Sequence, residues 1–362
     1  MDRRALISTA GLAAAAATAM ASPAIAQSQP TIRWRLQSSF PKSLDAIYGA
    51  GEVFARAVAE LTDGRFQIQV FAAGEIIPPL QVLDSVSIST VEACHTSSFF
   101  FVGKNEAFTF GTAVPYGLNT RQQNAWMYQG GGIELMNNLY RKSNVYGLPC
   151  GNTGAQMGGW FRKEINTPDD LKGLKFRIAG LAGQVMLKLG VVPQQIAGGD
   201  IYPALERGTI DGAEWIGPYD DEKLGFAKVA PYYYYPAFWE GGAMIHLFVN
   251  LDRWNELPPS YKAAIRAASA EANHYMVARY DAQNPAALKR LVAGGAQLKA
   301  FSREILDAGH TATQQVLDEI ASRNPDFNAI YEPWKAFRDD ARLWFRVAEY
   351  GFDYYTLSRT GR

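Results

Sequence analysis

Residues 31–70 read TIRWRLQSSFPKSLDAIYGAGEVFARAVAELTDGRFQIQV. Ile32, Trp34 and Leu36 alternate with Arg33, Arg35 and Gln37, the period of two that marks a half-buried strand. Leu44, Ile47, Gly51, Phe54, Val58 and Leu61 then recur at helical spacing, and Asp63-Gly64 supplies the stop. Phe66 to Val70 alternates again. A strand, a helix and a second strand in succession predict an α/β domain.

Ahead of this segment the chain changes character. Arg3 and Arg4 precede an Ala-rich apolar stretch from Leu6 to Met20, and Ala24-Ile25-Ala26 has the small-x-small form of a cleavage site. Residues 1–26 therefore read as a signal peptide, with Gln27 as the mature N-terminus and a bacterial periplasm as the destination. The arginine pair points to twin-arginine export; its consensus is incomplete, so the ordinary secretory route stays open. The whole chain of 362 residues is 48% hydrophobic and 12% aromatic, ample for sizeable cores and incompatible with intrinsic disorder. Thirty-five basic residues balance 35 acidic ones, which argues against a nucleic-acid partner or a polybasic membrane protein.

Beyond residue 160, Thr167-Pro168-Asp169-Asp170 has the order of a helix start, Lys175 to Ile178 that of a short strand, and Ala182 to Leu189 that of a helix. From Pro258 the pattern turns to long helices: Ser260 to Arg279, Pro285 to Val292, Arg303 to Ser322 and Pro333 to Tyr350. Gly130-Gly-Gly132, Gly198-Gly199 and Gly241-Gly242 mark flexible points. Cys94 and Cys150 are either a single disulfide or two buried thiols, both being set in apolar strand-like sequence. No nucleophile elbow, zinc-protease helix, P-loop or dinucleotide fingerprint occurs, and His95, His246, His274 and His310 are scattered.

Residues 171–215 carry a more specific signal. They hold Leu171-Lys-Gly-Leu-Lys-Phe-Arg177-Ile, then Leu189-Gly190-Val-Val-Pro193, then Asp200-Ile-Tyr202-Pro-Ala-Leu205-Glu-Arg-Gly208-Thr-Ile-Asp211-Gly212-Ala-Glu214-Trp215. This resembles the extracytoplasmic solute receptors of TRAP transporters, whose pattern is L-K-G-x-K-x-R, l-G-a-x-P and a-L-q-x-G-x-i-D-G-a-E. Gly64-Arg65, Val70-Phe-Ala-Ala-Gly74-Glu75, Gly103-Lys104-Asn105 and Val249 to Pro258 extend the resemblance over nearly the whole mature chain. Ser89 departs from the glycine of many members, and the C-terminus runs on through Trp344 to Tyr355. Gln156, Glu214-Trp215 and that extension look most like the α-keto acid-binding members. The resemblance implies a two-lobed α/β fold of the periplasmic solute-binding kind, with hinge strands and long C-terminal helices. The corresponding boundaries are 27–150 for lobe I (with part of 240–300 returning to it), 151–239 for lobe II (with part of 250–328) and 329–362 for a helical extension.

The residues themselves fit such a role. Arg177 follows Phe176 on a strand, so the two point to opposite faces, and a guanidinium in a cleft matches a carboxylate bidentately; on composition alone it would be a surface arginine pairing with Asp169 or Asp170. Glu214 and the Trp215 carbonyl form an oxygen-rich corner suited to a hard cation, against the alternative of a core tryptophan beside a solvated glutamate. The resemblance implies that Gln156, Glu214 and Trp215 hold a sodium ion, with calcium as runner-up and Glu240 as a weaker additional ligand. Asn152 would add a hydrogen bond from the hinge side. Phe101 is the preferred pocket member of Phe99-Phe-Phe101, while Tyr232 to Tyr235 reads as a pocket wall or as core. The resulting expectation is a receptor, not an enzyme, carrying a small 2-oxo monocarboxylate such as pyruvate to TRAP membrane subunits. An exported hydrolase or lyase acting on a carboxylate, and a receptor serving a signalling protein, are the alternatives. Trp334, Phe337, Leu343, Trp344, Val347 and Tyr354 form an apolar helical face, and the resemblance implies a homodimer through these C-terminal helices.

Overall fold

The computed structural model describes residues 29–359, and the signal-peptide assignment lies outside them. The opening segment forms as its pattern dictates: β1 spans Ile32–Ser38, a helix runs from Ile47 to Leu61, and β2 spans Phe66–Phe71, parallel to β1. Trp34 and Leu36 are buried in one cluster with Phe54 and Val58 of the helix. Thr62 closes the helix by donating to the Val58 carbonyl (2.7 Å) and accepting from the Phe66 N–H (3.1 Å), while Gly64 turns the chain at φ +72°. Gln37 breaks the alternation. It is fully buried because its amide donates to the Ala72 carbonyl at 2.7 Å.

Two sheets follow. The first has the order β2-β1-β3-β10-β4, with β3 at Ala93–Ser97, β10 at Met244–Asn250 and β4 at Val145–Asn152. β3 and β10 are buried along their whole length, as central strands covered on both faces must be. The second sheet has the order β11-β9-β5-β8-β6-β7: Gln297–Ala300, Tyr232–Tyr235, Gly159–Phe161, Gly212–Ala213, Lys175–Arg177 and Val192–Gln194. The chain thus leaves the first sheet after β4, builds most of the second, and returns as β10.

That return decides the cysteine question. Cys94 on β3 and Cys150 on β4 are separated by β10, so their backbones lie two strand spacings apart, roughly 9.5 Å. A disulfide needs less than about 7 Å. Both thiols are free and buried.

The tyrosine run is packing. Tyr233 stacks on Trp160 (3.8 Å between ring centroids) on one face of β9, and Tyr234 meets Phe161 and Phe301 on the other. The helices expected at Ser260–Arg279 and Pro285–Val292 are one 35-residue helix, Pro259–Ala293, with Pro285 inside it. Proline in a helix interior costs about 3 kcal/mol. Here buried residues on both sides of it, from Ile265 to Tyr280 and at Ala287 and Leu291, hold the rod together. The helix expected at Pro333–Tyr350 starts earlier, at Pro325, because Asn324 caps it by accepting from the Phe327 N–H. Trp334 is buried against Phe110 and Tyr331. Further along, Leu343, Trp344 and Val347, and most of the final helix Glu349–Leu357, are exposed.

His95 on β3 and His246 on β10 sit wholly inside the first sheet. Burial pulls their pKa values down to about 4 and about 3. Between pH 6.5 and these values the unfolded chain binds protons that the folded chain refuses, so stability is full above pH 6.5 and is lost as pH falls through this window. His246→Gln removes one of the two sites. Denaturant titrations from pH 6.5 to 4 should show a shallower fall than the parent's; an unchanged slope contradicts this account.

Candidate functional site

β6 and β8 build the centre of the site. Phe176 turns into the second sheet's core, stacking on Phe161 at 4.9 Å, and this forces Arg177 to the other face. Asp211 ties β8 to the start of β6: its carboxylate accepts from the Lys175 N–H (2.9 Å) and its own N–H donates to the Lys175 carbonyl (2.7 Å). At Gly212 a Cβ would lie 2.7 Å from the Trp160 carbonyl, so only glycine lets β5 approach. Glu214 then follows, its N–H donating to the Arg177 carbonyl at 3.1 Å. The Asp-Gly-Ala-Glu motif is thus a device that delivers one carboxylate beside one guanidinium.

The two side chains are ion-paired and almost completely buried. Arg177 Nη1 donates to the Glu214 carboxylate and to its carbonyl (2.8 Å), and Nε donates to the Ile196 carbonyl (3.0 Å). Glu214 also accepts from the Ala179 N–H at 3.1 Å. The guanidinium lies over the Trp215 ring, 5.1 Å from its centroid. Burial pushes the Glu214 carboxyl up from its ordinary value, with Arg177 and the Ala179 N–H opposing. The sequence predicts a guanidinium fork that meets a carboxylate bidentately, or a surface arginine paired with Asp169 or Asp170; the structure pairs it with Glu214. Its Nη1 and Nε are engaged, and Nη2 makes no hydrogen bond to any described residue.

This pair lines a small cavity between the two sheets. Gln156, Trp215 and Glu240 line it too, as do Thr153, Ala179 and Ile216. From the first sheet come Phe40, Ile47, Ser97, Phe99, Phe100 and Ile245. Gln156 and Glu240 are neighbours through the backbone, the Gln156 N–H donating to the Glu240 carbonyl at 3.3 Å. Burial, reinforced by the negative charge of Glu214, drives the Glu240 carboxyl well above the usual carboxylate range.

Two sequence-predicted residues lie elsewhere. Asn152 does not reach the cavity; its Oδ1 accepts from the Gly154 N–H (2.9 Å) and the Thr120 hydroxyl (3.3 Å), bracing the strand where it leaves the first sheet. Phe101 packs in the first sheet's core against Phe108. The residues after β3 form a tight helical turn, Ser98–Phe101, so its two neighbours face the cavity and Phe101 faces away. The sequence reading missed Phe40, Ile47, Thr153 and Ile245, and placed Phe99 and Phe100 behind Phe101. A usable signal existed for some: in α/β sheets ligands bind beyond the carboxyl ends of parallel strands, and Phe40 and Ser97 to Phe100 follow or end β1 and β3.

The donor set fits a hard, oxygen-seeking cation. Gln156 Oε1 and Glu240 Oε1 are buried without a hydrogen-bond partner, an arrangement that costs free energy unless something electropositive joins them. No group of three or more His, Cys, Asp and Glu side chains gathers anywhere among the described residues, which argues against a transition-metal centre.

A charged, small, apolar-walled cavity between two sheets joined by crossing chain segments is a pocket for a small polar solute. Residues 38–324 match the family DctP, described as bacterial extracellular solute-binding protein, family 7, and the chain belongs to that family. It is 50% identical, over 99% of its own length and 100% of the other's, to a monocarboxylate 2-oxoacid-binding periplasmic protein of Nostoc. Among solved structures it resembles a TRAP transporter solute-binding protein of Bordetella bronchiseptica: 54% identity, TM-score 0.91, covering 92% of this chain and 99% of that one. That protein is a mixed-occupancy dimer with calcium and picolinate in one site. A TRAP periplasmic solute-binding protein of Pseudoalteromonas atlantica with bound sodium and pyruvate is 35% identical, TM-score 0.86, covering 89% and 98%.

Near the cavity Asp45, on the loop after β1, is ion-paired with Lys223 and Arg279 and accepts from the Tyr219 hydroxyl (3.0 Å). Partial burial raises its pKa, but the hydrogen bonds from Lys223, Arg279 and Tyr219 outweigh this and hold it at about 2. A depressed carboxylate stabilises the fold above its unfolded pKa and loses that contribution as pH falls through the folded one. Asp45→Asn should therefore lower the melting temperature at pH 7, and the deficit should shrink between pH 4 and 2 and in high salt. A deficit independent of both would mean that shape, not charge, matters at Asp45.

Proposed function

We propose that this chain is the periplasmic receptor of a TRAP transporter, binding small 2-oxo monocarboxylates such as pyruvate together with one cation. It would hand them to the transporter's membrane subunits without making or breaking a bond. The observation that carries this reading is a small cavity holding one internally neutralised ion pair and two unpartnered oxygens. Arg177 and Glu214 cancel, and burial beside Glu214 disfavours a charge on Glu240. A monocarboxylate therefore arrives as an uncompensated buried charge, costing several kcal/mol. One monovalent cation restores neutrality, and this favours sodium, as in the Pseudoalteromonas atlantica protein. Calcium needs one more negative charge, available from Glu240, as the runner-up. Gln156, Glu214, the Trp215 carbonyl and Glu240 would hold the ion, and Arg177 Nη2 would meet the substrate carboxylate. Phe40, Ile47, Phe99 and Phe100 would limit the acyl chain.

The lobe boundaries given above are part of the same reading, with closure around the ligand. So is a homodimer: Leu343, Trp344, Val347, Tyr350, Phe352 and Tyr354 are each more than 60% exposed, an apolar surface that asks for cover.

Thermal-shift assays should show stabilisation by pyruvate that depends on sodium or calcium and exceeds that by propionate, which lacks a chelating keto oxygen. A ligand at 100 times its dissociation constant adds about 2.7 kcal/mol. Pyruvate should be recovered unchanged after long incubation; its consumption would indicate an enzyme. Arg177→Lys should lose on the order of 2 kcal/mol of affinity, since a point charge cannot replace the planar donor. Glu214→Ala should weaken pyruvate sharply, and Glu240→Gln should damage calcium-dependent binding more than sodium-dependent binding. Affinity indifferent to metal removal and to Glu214→Ala would end the cation mechanism while leaving the receptor reading intact. Light scattering should give a dimer for the full chain and a monomer when residues 341–362 are removed, a cut that spares buried Trp334; a monomeric full chain would refute the dimer.

A further inference from the structure

The Thr153 hydroxyl sits where β4 has just left the first sheet, and its valences are all accounted for. It donates its one proton to the Gly154 carbonyl (2.9 Å). It accepts from the Ala243 N–H (3.2 Å), on the segment leading into β10. The one remaining lone pair faces the Gln156 side-chain amide at 3.0 Å. A lone pair can face only a donor, so the amide must turn its nitrogen to Thr153 and its oxygen the other way. That oxygen, Gln156 Oε1, is buried and without a protein partner. Both Thr153 and Gln156 line the cavity.

We infer that Thr153 is a positioning residue that locks the Gln156 amide with its oxygen presented to the cation. The inference deepens the receptor reading and rests on it. An amide is nearly symmetrical in shape but not in charge: flipped, Gln156 would aim two N–H donors at the ion and repel it. Thr153 breaks this symmetry, alongside the Glu240 carboxyl that also takes a hydrogen bond from the Gln156 side chain, and it does so through a hydroxyl whose own orientation is fixed by two backbone groups.

The test is a pyruvate titration by calorimetry at fixed calcium and at fixed sodium, with melting temperatures recorded for the metal-free proteins. Thr153→Ser keeps the hydroxyl and should bind like the parent. Thr153→Val keeps the shape without it and should lose about tenfold in affinity. Its metal-free melting temperature corrects for the stability lost at the Ala243 N–H. The same pair of substitutions is then made in a Gln156→Glu background. A carboxylate presents oxygen whichever way it turns, so Thr153→Val should there cost much less. Equal losses in both backgrounds, or parental affinity in Thr153→Val, would overturn the inference. A parent protein that binds pyruvate with no need of a cation would instead overturn the reading on which the inference rests.

Discussion

Arg177 and Glu214 are opposite charges held side by side out of water, and the second sheet is arranged to make this tolerable. Withdrawing each ion from solvent costs several kcal/mol, which mutual attraction returns only if the remaining donors and acceptors are matched. They are matched here by the Ile196 carbonyl, the Ala179 N–H, the Glu214 carbonyl and the Trp215 ring. Each contribution needs the β6–β8 pairing, which places Arg177 opposite Ala213 and so next to Glu214. The pair is therefore as much a register lock for two very short strands as a piece of the binding site.

A site whose only full positive charge is already cancelled has an unusual selectivity. On the proposed reading it does not attract anions by excess charge, and a solute brings or recruits its own counter-ion. The apolar wall from Phe40, Ile47 and Phe99 leaves little to stabilise a bare charge. Selection then falls on chemistry that can share a small cation, rather than on charge alone.

Much of this was legible in residue order. The alternation around Trp34 and Leu36, the helical spacing to Leu61 and the Asp63-Gly64 stop each have one physical solution, and the structure adopts it. Arg177, Glu214, Trp215, Gln156 and Glu240 were singled out through the family resemblance rather than from spacing alone, and all five line the cavity. What stayed hidden depends on contacts distant in sequence. Phe101 stands out in sequence by its place two residues before the Gly103-Lys104 turn, and a strand-like run gives no warning of the helical turn at Ser98–Phe101 that rotates all three phenylalanines. The break expected before Pro285 disappeared because packing along the 35-residue helix outweighs one local defect. Asn152 spends its carboxamide oxygen on Gly154 and Thr120, while its amide nitrogen stays buried without a partner.

The position of β10 has a consequence for how the molecule assembles. A chain supplied from its N-terminus has β1 to β4 ready while the strand that belongs between β3 and β4 is about a hundred residues away. During that interval the sheet cannot reach its final order, and non-local pairing of this kind is the slow part of folding. Cys94 and Cys150, kept apart in the finished molecule by β10, have no such partition beforehand. In an oxidising compartment the arrival of Met244 to Asn250 is then a race against thiol pairing. A chaperone or reductant acting before that point would change yield without leaving any trace in the final structure.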